Sequence, residues 1–364
     1  MIRALSPYYI EVPLQYTYQS STYNCEYFKL KIKVWSGSES SVPSTVDYTI
    51  VYENTNADSG SHSINIAPLL RDFIEFETTT STQSFNVFSA FGNQKWVNYS
   101  VTYDDVATSG GFLPDTKLFS LGYTYGTDGL NAESRGDDGG KPQVLLDDVE
   151  YSIHRGSFLN VPISLEDITS SKQLIVRSYP SSQLYQTRTI STTTTSDSMI
   201  KNVWIDTSSI TTDDYIRVTY NGDTIEFILK DEFRFNPMTV FFINKYGAQQ
   251  TFMFFKEQRQ TVNVTDNVFE SNIGQPSTGS HQFLRYNVQA RTSLKVSTGF
   301  LDESENEAIK QMMLSERVWM YDNLNTVVPL NIKTTSTEFK SRQKERLINY
   351  DIEFLMSYND INNV

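Results

Sequence analysis

The chain has 364 residues, a single cysteine and a formal net charge of −13 at pH 7. This charge argues against the basic surface of a nucleic-acid-binding protein, and one cysteine excludes an internal disulfide bond. No apolar stretch approaches the ~20 residues that a membrane-spanning helix needs. The N-terminal MIRALSPYYIEVPLQY lacks a basic region followed by a long apolar run, which argues against a signal peptide.

Composition and periodicity both predict an all-β protein. The 22 Tyr and 22 Phe residues, with abundant Ser and Thr, suit pleated and half-buried surfaces. A chain of this length suits two or three domains. We therefore expect two or three β-sandwich or barrel-like domains, with a single flanking α-helix in the C-terminal one. The expected bounds are 1–166, 167–236 and 237–364.

In the first region, three runs rich in β-branched and aromatic residues predict strands: Glu26–Trp35, Asp47–Glu53 and Lys95–Tyr103. The run SINIAPLLRDFIEF, 63–76, is ambiguous, because Pro68 could open a short helix through Ile74.

A glycine-rich polar stretch, Gly126–Pro142, has no periodicity and is expected to be a long exposed loop. Its Asp137-Asp138-Gly139-Gly140 segment offers hard oxygens that could bind calcium, but it lacks EF-hand spacing. Solvated turn acids are the simpler interpretation.

The second region shows short alternating runs at regular spacing, which predict strands. Asn221-Gly222 lies between two of these runs and predicts a tight hairpin, because both residues tolerate positive φ. The Ser/Thr-rich tract 189–198 is expected to be an edge strand or a hairpin tip. The predicted strands are Leu174–Ser178, Met199–Ile205, Asp214–Tyr220 and Thr224–Lys230.

The third region contains the one convincing helix, 302–317. Asp302 and Glu305 form a capping-box-like pattern, in which the Asp302 side chain accepts a hydrogen bond from the first turn. An apolar stripe then recurs at helical spacing and must cover a sheet: Ala308, Ile309, Met312 and Met313. Strands are predicted at Thr239–Asn244, Thr251–Lys256, within Phe283–Thr298, and at Arg317–Tyr321, Val327–Lys333 and Leu347–Met356.

No pattern of reactive or metal-binding residues stands out. His62, His154 and His281 are far apart in sequence, and none has a second ligand at zinc spacing. Cys25 is expected to be a buried or edge thiol. Adjacent acids occur at 104–105, 137–138, 147–148 and 213–214, but neighbours on a strand point to opposite faces. We therefore predict no catalytic, cofactor-binding or metal-binding residues and no enzymatic activity.

Four tyrosines provide the remaining candidate surface. They could form a sugar-stacking face or a protein interface, because tyrosine combines an apolar ring with a polar hydroxyl. Ordinary strand packing is the simpler interpretation. The residues are Tyr99, Tyr103, Tyr123 and Tyr125.

Several runs of the third region resemble a pattern seen in virion structural proteins of tailed bacteriophages, especially those infecting Bacteroidetes. They are VFFINKYGAQQTFMFFK (240–256), STGFLDESENEAIKQMMLSERVWMY (297–321) and KERLINYDIEFLMSYNDINN (344–363). The SINIAPLLRDFIEF run is similar to a segment of the same group. A strand-rich module with one flanking helix is also similar to the tail-tube and distal-tail family, whose domains build rings by extending sheets between copies.

The resemblance implies a structural component of a tail, baseplate or neck, made in the host bacterial cytoplasm and located in the virion. Its partners would be other copies of itself in a homo-oligomeric ring and neighbouring virion tail or neck proteins, without direct nucleic-acid binding. A carbohydrate- or receptor-binding β-protein of the host-recognition type is an alternative hypothesis. A β-sandwich glycoside hydrolase using two of the acids is a third.

Overall fold

The computed structural model describes residues 1–56, 59–76, 78, 87–89, 94–104, 114–131, 143–147, 150–165, 168, 170–190, 199–271, 278–321, 326–339 and 348–360. Within these residues the chain forms 24 strands and two α-helices, which confirms the predicted all-β class. The helices are α1 Ala67–Arg71 and α2 Asn306–Leu314.

The strands, in chain order, are β1 Ile2–Arg3, β2 Tyr9–Pro13, β3 Gln15–Tyr18, β4 Ser21–Asn24, β5 Tyr27–Trp35, β6 Tyr48–Glu53, β7 Ser61–Asn65, β8 Val87–Ser89, β9 Gln94–Tyr103, β10 Asp115–Ser120, β11 Glu150–His154, β12 Phe158–Ser164, β13 Lys172–Tyr179, β14 Gln183–Ile190, β15 Ile200–Asp206, β16 Tyr215–Tyr220, β17 Asp223–Lys230, β18 Met238–Ile243, β19 Gln249–Phe254, β20 Gln258–Glu270, β21 Phe283–Ser297, β22 Val318–Tyr321, β23 Val327–Ile332 and β24 Asp351–Met356.

The chain divides into two compact units that interleave along the sequence. The first contains residues 1–149, 156–226 and 243–250, and the second contains 150–155, 227–242 and 251–364. The predicted domain bounds, 1–166, 167–236 and 237–364, stay a prediction. The two units are defined by the density of contacts, which does not by itself define a folding domain.

The first unit is built on a five-stranded sheet in the order β1-β10-β9-β5-β6. One face of this sheet shares a core with the β2–β7 pair and with α1; Leu30 of β5, Ile10 of β2 and Leu70 of α1 all belong to it. Trp35 and Trp96 stand opposite each other in register and face a second cluster. Two further groups of strands, β12-β15-β8 and β14-β13-β16, complete the unit.

The ambiguous SINIAPLLRDFIEF run contains both a strand and a helix. Its start forms the end of β7, and the short helix α1 follows with Pro68 in its first turn. The helix ends at Arg71, before the predicted Ile74. Leu70 is fully buried, so this single turn is stabilised by its contribution to the core rather than by helix propensity.

The second unit contains most of a seven-stranded sheet in the order β19-β18-β22-β23-β24-β21-β20. Aromatic pairs within the unit pack edge to face, such as Phe241 with Tyr321 at 4.7 Å and Phe254 with Phe354 at 5.8 Å between ring centroids. The sheet ends at β20, an edge strand of 13 residues. This edge carries the candidate site described below.

The predicted helix 302–317 is wrong in length. The residues 303–305 form a 3₁₀ turn, and α2 ends at Leu314 because Ser315 adopts an extended backbone (φ −71°, ψ 131°) that leads directly into β22. The predicted cap is confirmed: the Asp302 carboxylate accepts a hydrogen bond from Ser304 N–H at 3.3 Å. Ala308, Ile309 and Met312 are buried as predicted, whereas Met313 is only half-buried.

Candidate assembly surface

The strands β20 and β21 form a long hairpin, which we call the arm (Gln258–Glu270 and Phe283–Ser297). They pair from Gln258 opposite Val296 to Glu270 opposite Phe283. β24 pairs only with Ser293–Ser297 of β21, and the segment after it reaches Ala290, whose carbonyl accepts from Asp360 N–H at 2.8 Å. Among the described strands, residues 283–289 therefore pair with β20 alone.

One face of the arm is a continuation of the buried core. Near its base, Leu294 and Val296 are buried with 1% exposure each. Further out on the same face, Val262 stands opposite Thr292 and Val264 opposite Ala290, yet the two valines are 58% and 50% exposed. The apolar face therefore extends beyond the part of the arm that the rest of the unit covers.

The outer end of the arm carries apolar side chains on both faces. A register shift between Thr265 and Asn267 introduces a bulge, and Asn287 in the facing strand adopts φ +51°. Beyond it, Phe269 lies opposite Leu284 and contacts the Tyr286 ring edge to face at 5.6 Å. Val268 and Phe283 share the other face. The exposures of these five side chains range from 36% to 60%, which is typical of an interaction surface rather than a solvated hairpin.

The outer edge of β20 is open along its length in the described part of the chain. Its stretch 260–265, QTVNVT, contains no charge and no proline, the usual devices that protect an edge from pairing with another chain. β19, at the opposite edge of the sheet, is buried at five of its six residues. The sheet therefore offers one open edge, at β20.

Charge distinguishes the arm from the remainder of the chain. Residues 258–297 contain four Lys and Arg and two Asp and Glu, a net charge of +2. Since the whole chain has 30 basic and 43 acidic residues, the remainder has 26 and 41, a net charge of −15. Arg285 forms an ion pair with Asp266 within the arm. The formal charge of the arm is thus opposite in sign to that of the remainder. Arg259 and Lys295 at its base pair with Glu257 and Asp351 outside it, so the charge gives only a weak preference for an acidic surface of another copy.

The arm was only partly foreseen from sequence. The run 283–298 was predicted to contain one or two strands and is a single strand of 15 residues. β20 was not predicted, because its apolar residues are sparse and every residue except Asp266 is exposed. The alternation in TVNV, 261–264, is the signal that could have located it.

The structure separates the four candidate tyrosines. Tyr99 is 4% exposed and donates to the Asp115 carboxylate at 2.8 Å. Tyr103 is fully buried and stacks on Tyr16 at 5.3 Å, and burial raises its pKa to about 12. Only Tyr123 and Tyr125 come together, with ring centroids 5.7 Å apart. The four tyrosines therefore do not form one sugar-stacking face.

The histidines and the cysteine have local packing partners. His62 stacks on Tyr52 at 3.8 Å between ring centroids, and His154 lies on β11, where its backbone N–H donates to Met253 Sδ. His281 is exposed. Cys25 is buried, and burial raises the pKa of its thiol, which is the opposite of what an activated nucleophile needs.

Three of the paired acids have structural partners through their side chains: Asp104, Asp147 and Asp213. Asp104 accepts from Glu26 and Tyr27 N–H at 3.0 and 2.9 Å, and Asp213 accepts from Ser181 N–H and Oγ. Asp147 pairs with Lys245 at 2.9 Å. Asp105, Asp148 and the 137–140 segment lie outside the described residues, and the described part of the loop, 126–131, is exposed as predicted.

The described residues contain neither a metal-binding cluster nor a membrane-spanning helix. No group of three or more His, Cys, Asp or Glu side chains there is arranged to hold a metal ion. No helix in that part of the chain is long and apolar enough to cross a membrane.

Comparison with known proteins gives no family. No protein-family model and no curated protein matches the chain. Among solved structures, it is similar to domains 4–9 of the surface layer protein SbsC, with 10% identity, 84% of this chain covered and a TM-score of 0.21. The match spans 54% of that structure, about half its length. A TM-score this low carries no argument about fold or function.

Proposed function

We propose that this chain is a non-enzymatic structural protein of a tailed bacteriophage virion, in the tail, baseplate or neck, that assembles through interfaces with other copies and with neighbouring virion proteins. The observation that carries the assembly part is the arm, with its open edge and exposed apolar side chains. The virion part is supported by the sequence resemblance of segments 240–256, 297–321 and 344–363.

The size of the exposed apolar surface indicates how the arm would bind. Burying an aromatic side chain removes ~150–250 Å² from water, so the three half-exposed rings offer roughly 300 Å² in total. A stable interface buries about 800 Å² on each partner. The outer end of the arm is therefore too small to hold a partner alone, and the β20 edge with Val262 and Val264 must contribute. The rings are those of Phe269, Phe283 and Tyr286.

The arm also suggests a geometry for assembly. Two arms are both basic, so an arm-to-arm contact is electrostatically unfavourable, whereas an arm on the acidic surface of another copy is favourable. Contact between different patches on successive copies is heterologous and produces a ring or a filament. A homo-oligomeric ring is accordingly the form of assembly that we propose.

The first experiment measures oligomeric state by analytical ultracentrifugation of the full-length protein and a Val262→Lys/Phe283→Ser variant. We expect the wild type to form oligomers that weaken at high salt, and the variant to be monomeric. Phe233→Ser is the matched control, because its ring is 94% exposed but lies outside the arm. A monomeric wild type, or equal loss in the control, would refute the role of the arm.

The second experiment tests the location. Mass spectrometry of purified phage particles should detect the chain at a stoichiometry of several copies per virion. Its absence from washed particles would refute the virion assignment while leaving self-assembly through the arm intact.

A further inference from the structure

A groove of about 370 Å³ lies at the base of the arm, where β20 begins. This volume is at the lower end of the range that small-molecule sites occupy, about 300–1,000 Å³. Its lining comes from four places in the second unit: Phe235, the segment from Lys256 to Arg259, the end of β21 and Asp351 of β24. It is separate from the outer end of the arm.

Three cations line the groove, and each is paired with an acid. Lys256 Nζ lies 2.6 Å from Glu232 Oε2, Arg259 Nε lies 3.1 Å from Glu257 Oε1, and Lys295 Nζ lies 3.3 Å from Asp351 Oδ2. Glu232 pairs with Lys256 without itself lining the groove, and with it the three pairs sum to zero formal charge. A free anion or an acidic segment therefore gains little net attraction at this groove.

The same pairs leave hydrogen-bonding capacity for a neutral ligand. An ammonium group has three N–H donors and a guanidinium has five, more than one carboxylate can accept. Each carboxylate likewise has about four lone-pair sites. The cationic side chains of Lys256, Arg259 and Lys295 are 42%, 71% and 56% exposed. The groove thus presents both donors and acceptors within reach of solvent.

An aromatic ring completes the lining. Phe235 is half-buried, with Lys256 Nζ 6.0 Å and Arg234 Cζ 5.2 Å from its ring centroid. Both cations lie within the roughly 6 Å over which a cation is attracted to the face of an aromatic ring. Phe233, two residues earlier, is 94% exposed and does not line the groove.

We infer that this groove binds a neutral saccharide. A sugar hydroxyl both donates and accepts, so it matches a lining that contains both cations and carboxylates. The apolar C–H face of the sugar ring can stack on Phe235. A purely apolar ligand would leave the five charged groups of the lining desolvated without compensation. An extended peptide would instead pair with the open β20 edge. The groove shares Arg259 and Lys295 with the base of the arm, but Phe235 and Asp351 lie outside the arm, so substitutions there test this inference apart from the proposed assembly function.

The test uses the full-length protein on a glycan array, followed by titration of the best neutral glycan by calorimetry. We expect Phe235→Ala and Asp351→Asn each to weaken binding at least about tenfold, the loss of one good contact. Phe235→Tyr, which keeps the ring, should retain binding, and Phe233→Ala is the matched control. Unchanged melting temperatures would show that the variants fold.

Three results would overturn the inference. They are no neutral glycan bound at millimolar concentration, binding restricted to acidic glycans or inorganic phosphate, and equal loss in Phe233→Ala. The oligomeric state of Phe235→Ala should match that of the wild type, so failure here is distinguishable from failure of the assembly proposal.

Discussion

Glu305 gives the sharpest test of the structure, because it is a carboxylate buried to 2% exposure in the 3₁₀ turn just before α2. Ser152 Oγ–H donates to its Oε1 at 2.6 Å, and Ser152 N–H donates to its Oε2 at 3.2 Å. Burial raises the pKa of Glu305 above its ordinary 4.5, against the opposing effects of Ser152, the Lys230 ammonium and the Asp302 backbone. We consider the substitution Glu305→Gln.

The sign of the pH effect follows from this raised pKa. The folded state binds the proton more tightly than the unfolded state, so the stabilisation that Glu305 contributes is fully present below the unfolded pKa, near 4.5. It is lost as the pH rises through the folded pKa. The slope cannot exceed about 1.4 kcal/mol per pH unit for one group. Glutamine does not titrate, so Glu305→Gln lacks this pH dependence. The free energy of unfolding of the wild type relative to that of Glu305→Gln should therefore fall as the pH rises from the unfolded pKa of Glu305 to its folded pKa.

The assay is urea unfolding followed by tryptophan fluorescence from about pH 4 to about pH 8, in wild type and variant. Glu303→Gln is the control, because Glu303 is exposed in the same turn. A difference between wild type and Glu305→Gln that is flat with pH, or that grows as the pH rises, would refute the reasoning. A second variant, Lys230→Met, removes the nearby cation, whose charge lowers the pKa of Glu305. Without it the pKa of Glu305 should rise further, so the loss of stability should extend to higher pH.

Two further predictions concern single positions in the first unit. Asp104→Ala removes the acceptor of two backbone N–H groups and should lower the free energy of unfolding by about 1–3 kcal/mol in urea melts. Asp104→Asn keeps an acceptor and should lose less than half as much. Equal losses in the two variants would contradict this reasoning. A Cβ at Gly122 would lie 2.3 Å from the Lys245 carbonyl oxygen, so Gly122→Ala should cost about 1–3 kcal/mol or more. At Gly126 the space is open, so Gly126→Ala should change the melting temperature little, and a similar loss in both variants would count against the packing.

The strands that sequence located best are those whose pattern reflects local geometry. Asn221-Gly222 was predicted to form a hairpin, and the two residues adopt φ +48° and +103° between β16 and β17. The predicted strand Glu26–Trp35 differs from β5 by one residue, because the apolar and polar residues of YFKLKIKVW alternate in the same way as the buried and less buried positions of the strand. The C-terminal helix was located by its cap and stripe, but its end was not, since Ser315 becomes extended to bring β22 into the sheet.

The candidate surfaces were largely beyond sequence reasoning. The local sequence does not distinguish Tyr99 and Tyr103 from Tyr123 and Tyr125. The tertiary fold decides that the first two are buried in the core. Phe235 and Asp351 are 116 positions apart, and no periodicity indicates that both line one groove. Phe235 lies in the connection between β17 and β18, and the tertiary fold of the second unit brings it to the groove that Asp351 of β24 also lines.

The sequence by itself determined the class of fold, most strand positions and the acidic net charge, because each depends on residues close along the chain or on composition alone. Tertiary structure decided which strand is left at the open edge, which aromatic rings remain at the surface and which charges meet. Those outcomes depend on pairing between distant segments, and the local pattern of a segment does not indicate which other segment it will pair with.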